Sequence, residues 1–477
     1  MYYEKSKSKI DSDKNQIEFI CLDQLVPADH LVRKIENAID FNFIHDYTKE
    51  YYSHINGRPC LDTVTLFKII ILSFLVGKNS IRGILEDTKV NMAYRWFLNL
   101  SLTGTVPNYS TFTQNYIRRY KDTDVFEKIF NKVIVALIEY NVIDPSVIFV
   151  DGTHIKANAN KKKFIKKQVN VAFTKFEEQI QDEINEFRKE NGRDEFDYFD
   201  DDDNDSNTMI NDETGEVQNI KETKQINISK VDPDSGMFVK GEHERQFVYV
   251  DQVACDKHGW ILGFDVNPGN MHDSKAFLPF FKTQLLNYNP KVVCGDAAYI
   301  NTSIARFVSE SNVQLLAPYV APRGDRDIFN KRFKYYLEAN CYLCPNGKML
   351  TFNNIDKNGY MQYQIEKHEC KDCPFKKECV KSYSKKVIRR HLYIDYLEQC
   401  RNYRLSEEGK LTYKLRKTTI ERVFAEAKEN HGLRFTRFRG LKKNRDIRSL
   451  LYACLNIKKL ALLLNKRANK RNKLSKI

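Results

Sequence analysis

A chain of 477 residues, 42% of them hydrophobic, is too long for one ordinary domain and has enough apolar content for several cores, which excludes a single small module. Lys and Arg outnumber Asp and Glu by 77 to 63, giving a net charge of +14 and a pI near 9.0, so a polyanionic partner is expected, nucleic acid first. The N-terminus M-Y-Y-E-K-S-K-S-K-I is polar and the longest apolar run, 69–76, is too short to span a bilayer, which predicts a soluble, cytoplasmic and, given its charge, nucleoid-associated protein.

Residues 1–120 read as short helices, with periodic apolar positions over 31–39, 63–76, 80–88 and 91–98. The stretch P-N-Y-S-T-F-T-Q-N-Y-I-R-R-Y, 107–120, offers Ser110 as an N-cap and sets Arg118 and Arg119 on the following helix, an arrangement resembling a helix-turn-helix and a candidate DNA contact. An amphipathic helix over 125–140 leads to V-I-F-V-D-G-T-H-I-K-A-N-A-N, 147–160. There four apolar, mostly β-branched residues form a buried strand that delivers Asp151 to its end, where Gly152 lets the backbone bend. An ionised acid at the mouth of a hydrophobic strand must be paired, hydrogen-bonded or bound to metal.

Residues 161–191 read as a charged helix and 194–205 as an acidic run, together an insertion over 161–240 that is partly disordered. The D-D-D-D-N-D segment is no calcium loop, because its sixth position would be Ser206 rather than Gly. Strands return at 246–254 and 259–266 around the turn D-K-H-G. After N-P-G-N-M-H-D-S comes a helix over 277–286, and then V-V-C-G-D-A-A-Y, in which a short strand at 292–294 delivers Asp296 as the earlier one delivered Asp151. A helix over 300–309 and a strand at 313–319 complete the order three strands, helix, strand, helix, strand. That is the ribonuclease H-like topology, an α/β fold.

Of the 11 cysteines, five crowd into 341–379 as C-x2-C from Cys341 to Cys344, C-x2-C from Cys370 to Cys373, and Cys379. Such knuckles in an intracellular chain point to zinc; spacing leaves open which four thiols bind, whether His368 joins them, and whether an iron-sulfur cluster forms instead. Further on, 411–430 is a strong helix with Ile420, Val423, Phe424 and Ala427 on its apolar side and Glu421 beside them, ended by Gly432. A start at Thr418 would make T-x-x-E a capping box, but the helix formers before it favour a mid-helix glutamate. Lys428 follows on the same face, and G-L-R-F-T-R-F-R-G-L-K-K alternates Arg434, Arg437 and Arg439 with aromatics, a ribbon suited to phosphates and unpaired bases. A last helix over 447–464 covers the core, and the tail is basic.

V-D-G-T at Asp151, G-D-A-A-Y at Asp296 and I-E-R-V-F-A-E-A-K ending at Lys428 resemble the three signature blocks of DDE transposases. In particular the chain resembles the bacterial insertion-sequence group with a helical N-terminal domain and a cysteine motif before the glutamate. The resemblance implies a helical DNA-binding domain at 1–140, a ribonuclease H-like core beginning at 141–325, a cysteine-rich insertion at 326–405 and C-terminal helices at 406–477 that complete the core. It implies a catalytic triad of Asp151, Asp296 and Glu421 holding Mg²⁺ or Mn²⁺, Lys428 on phosphate, and a structural Zn²⁺ on Cys344, Cys370, Cys373 and Cys379, with Cys341 the alternative ligand. The implied activity is cleavage at the terminal inverted repeats of its own element and joining of the 3′ ends to target DNA, by a homodimer or higher assembly. The alternatives are a non-catalytic DNA-binding derivative and a metal-dependent nuclease. In that group the helix carries a Tyr and an Arg at fixed distances before the glutamate; here Lys417 occupies the Arg position and Tyr413 sits one residue off.

Overall fold

In a computed structural model the described residues are 17, 19–53, 55, 60–78, 80–172, 175–197, 208–210, 217–240, 244–318, 332–380 and 385–474. They form two compact units, Met1–Ile143 with Ile155–Ala157 and Arg422–Ile477, and Asp144–His154 with Asn158–Glu421.

The first unit is helical and built around Thr63–Leu75, in which every residue is buried. Asp62 caps it, its carboxylate accepting from the Thr65 amide at 2.7 Å. The one charge inside this helix, Lys68, is neutralised by Glu36 at 2.7 Å and lies over the rings of Phe41 and Phe97, as a buried cation requires. The long helix Leu441–Leu474 packs on Leu31–Glu36, Thr63–Leu75 and Val125–Glu139. The helix at Tyr109–Asn115 starts earlier than the sequence suggests: Asn108, not Ser110, is the N-cap, its side-chain oxygen accepting from the Ser110 amide at 3.0 Å. Among the described residues no helix is long and apolar enough to cross a membrane.

The second unit is mixed α/β. Its main sheet contains β1 (Val147–Lys156), β2 (Phe164–Ala172), β3 (Thr208–Ile210), β4 (Val217–Ser229), β5 (Gly236–Lys240), β6 (Glu244–Asp256), β7 (Ile261–Pro268), β8 (Val292–Cys294) and β9 (Gln314–Leu316). β6 pairs antiparallel with β5 through its first residues and with β7 through its last, and it neighbours β1; β1, β8 and β9 run parallel. The strand order through the centre is therefore β7-β6-β1-β8-β9, with the helices Asp273–Phe280 and Thr302–Glu310 in the β7-to-β8 and β8-to-β9 connections.

The insertion differs from the sequence-based expectation. Residues 164–172 are not the start of a helix but the strand β2, paired along its length with β4; the helix is confined to Lys175–Glu190. Of the acidic run, residues 198–205 lie outside the described ones. That helix packs on a second sheet, β10 (Lys334–Tyr336), β11 (Cys341–Leu343), β12 (Met349–Ile355), β13 (Tyr360–Gln364) and β14 (Val387–His391), antiparallel in chain order. Ile184 shares its core with Leu350, Ile355, Met361 and Tyr363, and Arg188 donates to the Asn354 side chain at 2.9 Å and the Ile355 carbonyl at 3.2 Å.

Candidate active site

Ile148, Phe149 and Val150 are wholly buried in β1 and β8 is buried throughout, but Asp151 is not at the end of its strand as the sequence suggests: β1 continues past it to Lys156, whereas Asp296 follows the last residue of β8 by two. Their register pairs Ile148 with Val293 and Phe149 with Cys294; continued two residues, it sets Asp151 against Asp296. Parallel strands point equivalent side chains to the same face, so both carboxylates leave one edge of the sheet on the same side. Asp151 also accepts from the Gly152 amide at 3.0 Å, and Asp296 caps the short turn Ala297–Tyr299 by accepting from the Ala298 amide at 2.8 Å.

Glu421 lies well inside the helix Glu407–Asn430, with Ile420, Phe424 and Ala427 buried, so it is no N3 residue of a capping box. Arg416 joins it to the first aspartate: its guanidinium reaches Asp151 Oδ2 at 2.6 Å and Glu421 Oε1 at 3.3 Å. One planar guanidinium thus spans both carboxylates, supplying a positive charge at the place where three acids would otherwise repel. The supporting basic residue is Arg416 and not Lys417, which is exposed. On a helix one residue is about 100° of rotation, enough to turn Lys417 out while Arg416 turns in.

The electrostatics follow from burial. Desolvation pushes the Asp151 carboxyl up to about 6; Arg416 opposes the shift, and the charges of Asp296 and Asp273 add to it. Asp273, at the first position of Asp273–Phe280, has no counterpart among the residues the sequence pattern suggests. A Cβ on Gly152 would stand 3.2 Å from its Oδ1, and burial, then Asp296, raises its own pKa. Acids are common in the first turn of any helix, where the dipole favours them, so the sequence carries no signal that sets this one apart.

Four of the five clustered thiols, Cys344, Cys370, Cys373 and Cys379, line a single small cavity of about 20 Å³, and Cys341 does not line it. Cys341 is instead buried in β11, opposite Thr351. In the turn after Cys344 the Lys348 amide donates to Cys344 Sγ at 3.3 Å, and Gly347 takes φ +73°. Burial raises the Cys370 thiol and pushes Cys379 up to about 11. His368 is largely exposed beside Glu369 and does not line the cavity. Among the described residues no three His, Cys, Asp or Glu side chains converge closely enough, as they stand, to hold a metal ion.

In the helical unit, Lys428, Arg434 and Arg437 line one open groove of about 400 Å³ together with Lys78 and Ser80, two residues that the sequence pattern does not single out. Gly77 turns there at φ +69°, and a Cβ would meet the Asn430 carbonyl at 2.8 Å. Arg439 is not part of the groove lining. Arg119 is engaged locally, stacked 4.4 Å over Tyr52 and donating to Asn115 Oδ1 at 2.8 Å, whereas Arg118 is exposed.

Two family models match the chain: the Transposase DDE domain over residues 343–461, and the Transposase domain (DUF772) over residues 20–118. Both describe transposases. The two matches, neither of which spans half of the chain, support a DDE transposase of an insertion-sequence family. No curated protein matches it.

Proposed function

We propose that this transposase binds the terminal inverted repeats of its own insertion sequence, cleaves a strand there and joins the freed 3′ ends to target DNA. The observation that supports this best is Arg416 spanning Asp151 and Glu421, with Asp151 on a strand whose parallel register to β8, continued two residues, sets it opposite Asp296. The strand order β7-β6-β1-β8-β9 is that of a ribonuclease H-like core, a scaffold that fits the reading.

The donor chemistry suits hard divalent cations: carboxylate oxygens at a half-buried edge favour Mg²⁺, with Mn²⁺ as a substitute. Such ions, when bound, supply an activated nucleophile and stabilise the leaving oxygen in displacement at phosphorus. Asp151, Asp296 and Glu421 would hold them. Arg416, released from its two carboxylates, is free to meet phosphate, and Lys428 binds the backbone nearby in sequence. Cys344, Cys370, Cys373 and Cys379 are the proposed ligands of one structural Zn²⁺, since four thiols match a closed tetrahedral site. DNA contact falls to the helical 1–140 region with Arg118, and to Lys428, Arg434, Arg437 and Arg439. The working assembly is a homodimer or larger on DNA.

The test uses Asp151→Ala, Asp296→Ala and Glu421→Ala on DNA carrying the element ends. Each variant should lose cleavage and joining by at least about a thousandfold while retaining end binding, because metal ligands serve chemistry and basic residues serve affinity. Normal cleavage by any variant removes that residue from the triad. Cleavage by the wild type without joined products would make the protein a nuclease instead.

A further inference from the structure

The carboxylates gathered beside β1 and past the end of β8 outnumber the triad. Asp273 belongs to the helix that follows β7, a different element from any triad residue. Its position is fixed through the backbone: its carbonyl accepts from Gln252 Nε2 at 3.0 Å, and Gln252 is completely buried in β6. The start of its helix is capped by His272, whose ring nitrogen accepts from the Ser274 amide at 3.3 Å. The Asp273 carboxylate is therefore not needed as the cap. It leans over Gly152, 3.2 Å from where a Cβ would stand, and so beside Asp151. Among the described residues no donor is bonded to it.

A second observation comes from Tyr299. Its ring is 1% exposed and packs on Gly295, where a Cβ would lie 3.0 Å from Cδ2, and edge-on to Phe277. Its hydroxyl is buried and has no hydrogen-bond partner among the described residues. Burial first, then the charges of Asp273, Asp151 and Asp296, hold it well above its ordinary pKa. A buried hydroxyl left without a partner is destabilising, and persists where a ligand or its water completes the bonding. Asp151, Asp273 and Asp296 influence one another here, Glu421 lies across Arg416 from Asp151, and that guanidinium is the one cation paired with an acid of this group among the described residues. That imbalance calls for further positive charge.

We propose that Asp273 is a fourth metal-binding carboxylate of the active site, acting with Asp151 and Asp296. The inference rests on the transposase reading of the triad and adds to it a ligand from the β7-to-β8 connection. With four acids the site can hold two hard cations through more than one carboxylate each while leaving positions for water and phosphate oxygens. Gly152 then leaves room for the Asp273 carboxylate.

The test is Mn²⁺ binding to the full-length, zinc-loaded protein, followed by electron paramagnetic resonance of free Mn²⁺ without DNA. Thiols take zinc in preference to Mn²⁺, so the titration reads the carboxylates. Asp273→Asn should weaken Mn²⁺ binding at least about tenfold, as Asp151→Asn does, with the thermal unfolding midpoint kept or raised. Asp273→Ser, which removes bulk as well as charge, replaces it should the Asn variant lose its thermal transition. Unchanged Mn²⁺ affinity in a folded Asp273 variant, with Asp151→Asn weakened, overturns the fourth ligand and leaves the triad standing. Absence of Mn²⁺ binding by the wild type overturns both.

Discussion

Asp151 is held half-buried against Arg416, with Asp296 and Asp273 nearby, and this environment has a cost that pH reveals. The unfolded chain ionises this group near 3.8 and the folded chain near 6, so between those values the folded state holds the extra proton. Stability is therefore lost as pH rises from about 4 to 6, and the whole loss stands above that window. Two pKa units correspond to at most about 3 kcal/mol, the side chain being only 17% exposed. Asp151→Asn, isosteric and always neutral, should raise metal-free stability at pH 7.5 by up to that amount and change little at pH 4, as read from urea unfolding. Arg416 keeps Glu421 as its partner in this variant, so no orphaned cation offsets the gain. A loss of stability at pH 7.5, or the same effect at both pH values, would show that the Arg416 pair outweighs burial. A site that is less stable without its ligand than its neutral analogue is the ordinary mark of function.

At the scale of elements, what could be read from the sequence depended on whether a local pattern had one physical meaning. β1 and β8 were legible as buried runs leading to an aspartate, but the end of β1 was not: Gly152 does not stop the strand, which carries Asp151 in its middle and runs on to Lys156. The helix of Glu421 was legible because good helix formers extend well before Thr418. β2 was not: its lysines and Ile165, which is 48% exposed, show no clean alternation, and only pairing with the distant β4 makes it a strand. Arg416 was missed because spacing carried over from a family lands on Lys417, and a one-residue offset reverses the face. Among the cysteines, spacing alone admitted two sets; Cys341 lies inside a strand and the other four line one cavity, the arrangement on which the proposed zinc site rests. The purified protein should accordingly contain about one zinc per chain, and Cys379→Ser should lose it while Cys341→Ser retains it. Plasma emission analysis after dialysis decides the matter, and the opposite pattern would restore the symmetrical double knuckle.

Over the whole molecule the charge surplus of +14 matters less than where it gathers. A diffuse excess would only keep the protein soluble, whereas Lys78, Lys428, Arg434 and Arg437 line one groove beside Phe435, combining cations with an aromatic face. Two acids temper it: Glu429 pairs with Arg434 inside the groove, and Lys78 pairs with Asp87. Exposed pairs of this kind are worth little in water and give way when a phosphate, with its higher charge density, competes for the same cation. DNA affinity should therefore fall steeply with salt. Each of Lys78→Ala, Lys428→Ala, Arg434→Ala and Arg437→Ala should weaken binding to any sequence and reduce the slope of log K against log salt by about 0.9. Arg119→Ala is the contrasting case, since that guanidinium is committed to Tyr52 and Asn115; it should lower the thermal midpoint and leave the salt slope unchanged. Fluorescence anisotropy over a salt series, on element ends and on unrelated duplex, measures both quantities. Groove variants with an unaltered slope would move the DNA path away from this surface, and a reduced slope in Arg119→Ala would bring the first helical region onto it.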